Sequence, residues 1–253
     1  MARLSFILTL LLFTIHSVYG QLDESLFHSD FEKKAFASND PFQILLAANP
    51  EVDAIKYNQY LAEFEKHVDK LLKKSEGLTK IQQLEKVFYL SHRKKLSWYD
   101  AEVTFSDLFE SGKYDCLTGT AFYSGVLEQL NIPYRIVEFD FHVFVLASAD
   151  GKSILMEPTD PLSGWVTDDR EILERINYHV NNQQAGAMGI FNRITLDELA
   201  GLQYYNQSVL SYQSGKLEEA EHYLQKAKFL YPSKRIMEMH QFFLANNLLA
   251  SSN

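Results

Sequence analysis

Residues 113–130 read KYDCLTGTAFYSGVLEQL, and this stretch decides how the rest of the chain is interpreted. The run is apolar on most sides, so a helix built from it has no polar face to present to water. Asn131 and Pro133 follow it and are typical of a helix end, because asparagine tolerates the left-handed cap and proline cannot continue a helix. Small side chains that let neighbouring elements approach closely occur at Gly119, Ala121, Ser124 and Gly125. The stretch therefore predicts a buried, closely packed helix.

The chain after this helix has the composition of β-strands. Residues 134–147 read YRIVEFDFHVFVLA and residues 154–161 read ILMEPTDP, and both are dense in Val, Ile, Leu and Phe. Asp150 and Gly151 lie between them and form a strong hairpin signal. We predict an antiparallel sheet here.

Helical periodicity surrounds this central part. Apolar residues from 41 to 96 recur at spacings of three and four, with Lys and Glu between them, which predicts amphipathic packing helices. After the strands, Thr195 and Glu198 have the spacing of a capping box and begin a second helical segment. The pattern predicts an α+β fold with a helical N-terminal part and a helical tail.

Three residues carry candidate chemistry, in the order Cys116, His142 and Glu157. A cysteine at a helix N-terminus has its thiolate stabilised by free backbone amides and the helix dipole, so we expect a lowered pKa. A nearby histidine can deprotonate the thiol and later protonate a leaving group, and a carboxylate can fix the tautomer of that histidine. We predict Cys116 as nucleophile, His142 as base and Glu157 as the orienting group.

The choice of carboxylate depends on strand parity. A two-residue turn at Asp150-Gly151 pairs Ala149 with Lys152, and side chains alternate along each strand. Glu157 then lies on the face of His142, whereas Asp160 lies on the other face. A three-residue loop would reverse this choice and favour Asp160.

These residues resemble the transglutaminase-like superfamily, which has a papain-like core. The similar phrases are DCLTGTAFYSGVLEQL, NIPYRIVEF, HVFVLA and MEPTDP, and the resemblance covers about residues 95–165 well. It implies the catalytic triad Cys116, His142 and Glu157, with no metal and no organic cofactor. Glutamate replaces the usual aspartate, and Val143 and Phe144 replace the small residue and tryptophan that commonly follow the histidine.

The tail from Thr195 resembles a single tetratricopeptide repeat. Counting back from Pro232, the alanines and the closing proline are in place, whereas Tyr204 and Ser208 replace the usual tryptophan and glycine. A plain helical hairpin that closes the fold is the alternative. We divide the chain into a signal peptide (1–20), a transglutaminase-like domain with its helical lead-in (21–194) and this tail (195–253).

The N-terminus predicts export. Residues 1–20 combine Arg3, an apolar run and small residues before a cut after Gly20, which is the pattern of a secretory signal. An uncleaved anchor is the alternative. We expect a secreted or periplasmic protein without a membrane segment after cleavage. One cysteine excludes an intrachain disulfide framework, and a formal charge of −9 argues against a nucleic-acid partner.

Several other polar residues are interpreted as structural or peripheral. His92 with the bases after it indicates a solvated helix end, and His179 indicates a polar loop. Glu138 and Asp140 lie close to His142 in sequence, but one strand presents few metal ligands on one face. Trp98 and Tyr114 are candidates for the wall of the cleft, and the backbone amide of Cys116 is the candidate oxyanion donor.

The resulting functional hypothesis is acyl transfer at an amide of a peptide or protein substrate. Water as acceptor would make the protein a peptidase or amidase, and an amine would make it a protein-glutamine acyltransferase. The alternative is a catalytically inactive transglutaminase-like module that binds a peptide or protein. The helical tail is a candidate surface for a protein partner.

Overall fold

The computed structural model describes residues 22–181 and 187–250, which form an α+β fold. A short 3-10 helix at Glu24–Leu26 precedes the regular elements. The helices are α1 (Asp30–Ser38), α2 (Pro41–Ala47), α3 (Ala54–Lys74), α4 (Lys80–Lys94), α5 (Asp107–Glu110), α6 (Cys116–Gln129), α7 (Asp169–Asn181), α8 (Leu196–Gln213), α9 (Leu217–Leu230) and α10 (Lys234–Ala250). The strands are β1 (Trp98–Tyr99), β2 (Lys113–Tyr114), β3 (Tyr134–Phe139), β4 (Val143–Ala149), β5 (Lys152–Met156), β6 (Trp165–Val166) and β7 (Phe191–Ile194).

The main sheet has five strands in the order β6-β5-β4-β3-β7, and all neighbours are antiparallel. The predicted hairpin joins β4 to β5, and Ala149 pairs with Lys152 as expected. Asp150 and Gly151 both have positive φ, 51° and 76°, as a two-residue hairpin turn of type I′ requires. Because the turn has two residues, the parity on which the choice of Glu157 depends is confirmed.

Helix α6 is the buried helix that the central stretch predicts. Eleven consecutive residues, Leu117 to Leu127, are buried. The helix packs on β3 and β4 and also contacts α4 and α8. Its start is fixed by a capping box in which the Asp115 carboxylate accepts a hydrogen bond from the Thr118 amide at 2.7 Å. The structure therefore holds Cys116 at the first turn of a helix that is packed from several sides.

The helices before and after this centre also agree with the sequence pattern. Gly77, with φ of 74°, lies between α3 and α4, and the Thr195–Glu198 capping box begins α8. Helices α8 and α9 pack together as the tail hairpin. A single core cluster includes Leu45 of the lead-in, Phe122 of α6, Val145 of the sheet and Leu224 of the tail. The tail is thus continuous with the core in packing.

One strand was not predicted and one predicted loop is wrong. Residues 191–194, to which the sequence analysis assigned no element, form β7 and extend the sheet beside β3, and His179 lies in helix α7 and not in a loop. The predicted signal peptide and its cut after Gly20 lie outside the described residues. In the described part of the chain, none of the helices combines the length and the apolar character that a membrane crossing demands.

Candidate active site

His142 and Glu157 form the centre of the candidate site. His142 Nε2 lies 2.5 Å from Glu157 Oε2, and both side chains are largely buried. Asp160, the alternative carboxylate, instead forms an ion pair with Arg175 at 3.4 Å. The structure therefore brings together the two residues that strand parity selects.

Both residues lie just outside the strands in which the sequence analysis placed them. His142 directly precedes β4, and Glu157 directly follows β5. The last regular pair between these two strands joins Val145 to Met156. The chain leaves the sheet here, and the Glu157 amide donates to the Gly164 carbonyl at 2.9 Å. The two side chains consequently meet at the edge of the paired region.

The second oxygen of Glu157 is also occupied. Oε1 accepts hydrogen bonds from the amide and the hydroxyl of Thr159 at 3.0 and 2.6 Å. Burial alone would raise the pKa of Glu157, but the bonds from His142 and Thr159 outweigh burial and hold the pKa below its usual range. Glu157 is therefore an ionised, fixed partner for the imidazole at neutral pH.

The nitrogen left available on the imidazole is Nδ1. The bond to Glu157 uses Nε2, and Nδ1 makes no hydrogen bond to any residue that the structure describes. A neutral imidazole that donates from Nε2–H has an acceptor lone pair at Nδ1. The arrangement can therefore accept a proton at Nδ1 while Glu157 stabilises the resulting imidazolium.

Cys116 and His142 line the same cavity, but no hydrogen bond joins their side chains. Both residues line a cavity of about 350 Å³, and Cys116 keeps partial solvent access. Within residues 22–181 and 187–250, no hydrogen bond joins the Cys116 sulfur to His142. The sulfur is instead close to the backbone amides of Leu117 and Val143.

The expected lowering of the Cys116 pKa is wrong for this structure. Burial raises the pKa of the thiol well above its usual range, and the charges of Asp115 and Glu157 add to this effect. The amides of Val143 and Leu117 act in the opposite direction and are outweighed. The helix N-terminus is present, but the low dielectric and two nearby carboxylates dominate. At neutral pH the thiol is protonated and needs a base.

His179 is a site residue that the sequence analysis missed. Its ring stacks on His142 with centroids 4.6 Å apart and planes inclined by 18°. Burial, together with the neighbouring His142, lowers the pKa of His179 to about 4, so this ring is neutral near pH 7. The available signal was helical spacing, since Ile172, Ile176 and His179 lie on one face of α7.

The same cluster contains the residues that could hold a metal. One ligand atom each from His142, Glu157 and His179 lie within 4.8 Å of one another. Three protein ligands are enough for a zinc ion with one open position. A metal there would have to replace the direct hydrogen bond between His142 and Glu157. Asp140 is committed elsewhere, since its carboxylate accepts bonds from the amides of Met188 and Ile190 at 2.6 and 3.0 Å.

Three further sequence interpretations need correction. His92 is not a solvated residue, because its ring contacts Phe88 and Tyr114 and both of its nitrogens are buried without a partner in the described structure. Tyr114 is buried and Trp98 is exposed, and neither lines the cavity that contains Cys116. That cavity is instead walled by the tail helix α8, which the sequence did not connect to the site.

The backbone amide of Cys116 keeps the position expected of an oxyanion donor. It belongs to the first turn of α6, whose leading N–H groups have no carbonyl partner within the helix. Such groups point outward from the helix start, where a developing negative oxygen can be bound.

Comparison with known proteins identifies no relative: no family model, no curated protein and no solved structure matches this chain.

Proposed function

We propose that the protein is a transglutaminase-like acyl-transfer enzyme with a papain-like core and the triad Cys116, His142 and Glu157. The observation that carries the proposal is the hydrogen bond between His142 Nε2 and Glu157 Oε2, and His142 also lines the cavity that contains Cys116. This bond leaves Nδ1 as the proton acceptor and supplies the negative charge that an imidazolium needs. The resemblance in residues 95–165 leads to the same triad.

The reaction begins with proton transfer from the Cys116 thiol to His142 Nδ1. The thiolate attacks the carbonyl carbon of an amide, and the oxygen of the tetrahedral intermediate accepts the Cys116 backbone N–H. His142 then gives its proton to the departing amine as the carbon–nitrogen bond breaks, which leaves a thioester on Cys116. Water or a second amine attacks the thioester after losing a proton to His142, and the thiol is reprotonated.

Burial of the thiol makes this proton transfer the critical step. A protonated cysteine is a weak nucleophile, so the reaction requires His142 Nδ1 to come within hydrogen-bond distance of the sulfur. Hydrogen bonds in catalytic sites are commonly longer before substrate is bound and tighten in the complex. The substrate would be a peptide or protein met after export, and the tail is proposed to contact a partner chain.

A second candidate function is a binding module without catalysis. It is favoured by the raised pKa of Cys116 and by the absence, in the described part of the chain, of a hydrogen bond between its sulfur and His142. In that case the cavity holds a peptide segment and the cysteine remains an inert thiol.

Alkylation of Cys116 by iodoacetamide near pH 7.5 separates the two functions. The raised pKa alone would make the folded thiol slower than the denatured one, so a rate at least roughly tenfold faster in the folded protein would show that His142 takes the proton of the thiol. His142→Ala should remove this advantage. His222→Ala, a histidine of the tail helix α9 outside the site, is the matched control and should leave the rate unchanged. A folded, reduced protein whose thiol reacts no faster than the denatured one would exclude the enzyme.

A further inference from the structure

We infer that one face of helix α8 forms a binding wall for a neutral, apolar side chain of the peptide that reaches Cys116. This inference rests on the proposed function and adds the class of substrate. The structural basis is the cavity of about 350 Å³ that contains Cys116 and His142, a volume within the range of small ligand sites. The face of α8 that lines it consists of Leu202, Tyr205, Asn206, Val209 and Leu210.

These five residues follow helical spacing. Their numbers advance by three, one, three and one, so they form a single stripe along α8. Four of the five side chains are predominantly apolar, and all except Leu202 remain half-buried. In the described structure this stripe is the part of α8 that lines the cavity with the candidate nucleophile. A half-buried apolar stripe in that position suits an apolar ligand.

The opposite face of α8 is fixed to the rest of the molecule. The Ser208 hydroxyl donates to the Ala220 carbonyl at 2.6 Å, and the Gln203 amide donates to the Leu45 carbonyl at 3.1 Å. The Tyr204 hydroxyl donates to Glu32 at 2.9 Å. Hydrogen bonds to α9, α2 and α1 hold this wall in place, so a ligand that binds against it causes little further loss of conformational entropy in the protein.

The second wall of the cavity is also apolar and is held by the tail. Phe141, the residue before His142, is 59% exposed and lines the cavity beside Phe139. Arg235 of α10 donates to the carbonyls of Phe139 and Asp140 at 2.7 and 2.8 Å. The exposed Phe141 side chain therefore lines the cavity next to the candidate base, and Arg235 fixes the backbone of the two residues around which this wall is built, Phe139 and Asp140.

The charges around the cavity argue for a neutral occupant. Arg235 is paired with Glu138 at 3.0 Å, and the Asp140 carboxylate is used by two backbone amides. Glu102 is exposed and carries a negative charge, which would repel an acidic side chain. The Asn206 amide is a neutral polar group of the lining that makes no hydrogen bond to a described residue, so it can pair with a peptide backbone.

The test compares two alkylating reagents that share one electrophile, iodoacetamide and N-hexyliodoacetamide. In each case the Cys116 sulfur displaces iodide, so only the apolar chain differs. We expect the hexyl reagent to react roughly tenfold faster or more and to show saturation, because its chain binds against α8 before the reaction. Val209→Asp should bring the ratio of the two rates close to one, and this ratio is the readout because a change in the thiol itself alters both rates together.

Two variants control this experiment. Gln207→Asp places the same carboxylate on the same helix but outside the residues that line the cavity, and it should keep the preference for the hexyl reagent. Val209→Trp fills the cavity with an apolar side chain and should also lower the ratio, which guards against misfolding of Val209→Asp.

The outcomes distinguish this inference from the proposed function. Fast alkylation of the wild-type protein by iodoacetamide, with no preference for the hexyl chain, would overturn the inference and leave the enzyme intact. Slow alkylation by both reagents would overturn the enzyme. In that case the α8 wall is tested by calorimetric binding of N-hexylacetamide to the Cys116→Ala protein. Binding that the additional substitution Val209→Asp abolishes supports the inference, and no binding overturns it.

Discussion

His142 has a partner on its edge and a partner on its face. Glu157 bonds Nε2 and sets the tautomer, while the neutral ring of His179 covers one face of the imidazole. His179 itself rests against Phe139, with ring centroids 4.9 Å apart. The imidazole is thus fixed by one charged and one stacking contact, and the two can be separated by mutation.

His179→Ala should slow the alkylation of Cys116, because His142 loses its stacking contact and samples orientations that turn Nδ1 away from the thiol. A stacked aromatic pair contributes about 0.5–1.5 kcal/mol, which corresponds to a rate change of roughly 2- to 12-fold. His179→Phe keeps the stack and should restore the rate across the same pH profile. A loss in His179→Phe as large as in His179→Ala would show that its nitrogens, and not its ring face, matter.

His92 is a buried histidine with no polar partner in the described structure, and burial lowers its pKa to about 4. A folded-state pKa below the unfolded value of about 6.5 means that the unfolded chain binds more protons between pH 4 and 6.5. This residue therefore lowers stability as the pH falls through that window. Replacing it by phenylalanine keeps the ring contacts with Phe88 and Tyr114 and removes both unpaired nitrogens.

We expect His92→Phe to raise the free energy of unfolding by about 1 kcal/mol at pH 8 and by more at pH 5. Denaturant unfolding at the two pH values measures this, with His222→Ala as the control. A variant that is less stable than the wild type at pH 5 would contradict the assignment of His92 as an unpaired neutral residue.

At the scale of elements, helix α6 determines both the place and the state of the candidate nucleophile. Its N-cap, Asp115, is buried and bonds the amide and hydroxyl of Thr118 at 2.7 and 2.8 Å. The same carboxylate contributes to the raised pKa of Cys116. The Asp115 carboxylate therefore stabilises the helix start and at the same time destabilises the Cys116 thiolate.

Asp115→Asn should separate these two roles. Asparagine is a good N-cap, so stability should change little, while loss of the negative charge should lower the pKa of Cys116 and shift the alkylation profile to lower pH. Asp115→Ala loses the cap as well and should cost about 1 kcal/mol of stability. Equal alkylation profiles for the wild type and Asp115→Asn would show that the carboxylate does not control the thiol.

The elements that the sequence predicted best are those with local signals. Helix α6, the Asp150-Gly151 turn and the Thr195 capping box each depend on neighbouring residues, and all three are confirmed. The turn length also fixed strand parity, which placed Glu157 beside His142 from the sequence alone. Local chemistry was therefore sufficient for two members of the candidate triad to be brought together.

The features that the sequence did not predict depend on tertiary contacts. The pKa of Cys116 is raised first by burial, then by the adjacent Asp115 and by Glu157, which is distant in the chain, and the helix start alone gave the wrong direction. His179 reaches the site only because α7 packs on the sheet through Ile172 and Ile176. Helical spacing can place His179 on the packed face of α7, but neither the burial of the thiol nor the position of α7 on the sheet follows from a short pattern, so both required the fold.

At the scale of the whole molecule, a buried ion pair joins the first helix to the tail. Lys226 of α9 lies 2.8 Å from Glu32 of α1, and both side chains are almost fully buried. Glu32 also accepts hydrogen bonds from the Tyr204 hydroxyl and the His28 amide. These contacts span most of the chain length, so they link the lead-in to the helix that walls the cavity.

Glu32→Ala should destabilise the protein by about 3–5 kcal/mol, because it leaves the Lys226 ammonium buried without its partner. The double variant Glu32→Gln/Lys226→Met removes both charges but keeps an acceptor for Tyr204, and it should recover most of the loss. Thermal unfolding measures both. A double variant no more stable than Glu32→Ala would show that packing at this junction, and not the unpaired charge, sets the cost.

The central claim, that Cys116 forms an acyl-enzyme with His142 as its base, is tested most directly with p-nitrophenyl acetate. Attack by the thiolate releases p-nitrophenolate and leaves an acetyl thioester, which intact-protein mass spectrometry detects as one added acetyl group. We predict a burst of one p-nitrophenolate per protein molecule, with the acetyl group on Cys116, and a loss of the burst in both Cys116→Ala and His142→Ala. A wild-type protein without a burst, or a burst that persists in Cys116→Ala, would contradict the account.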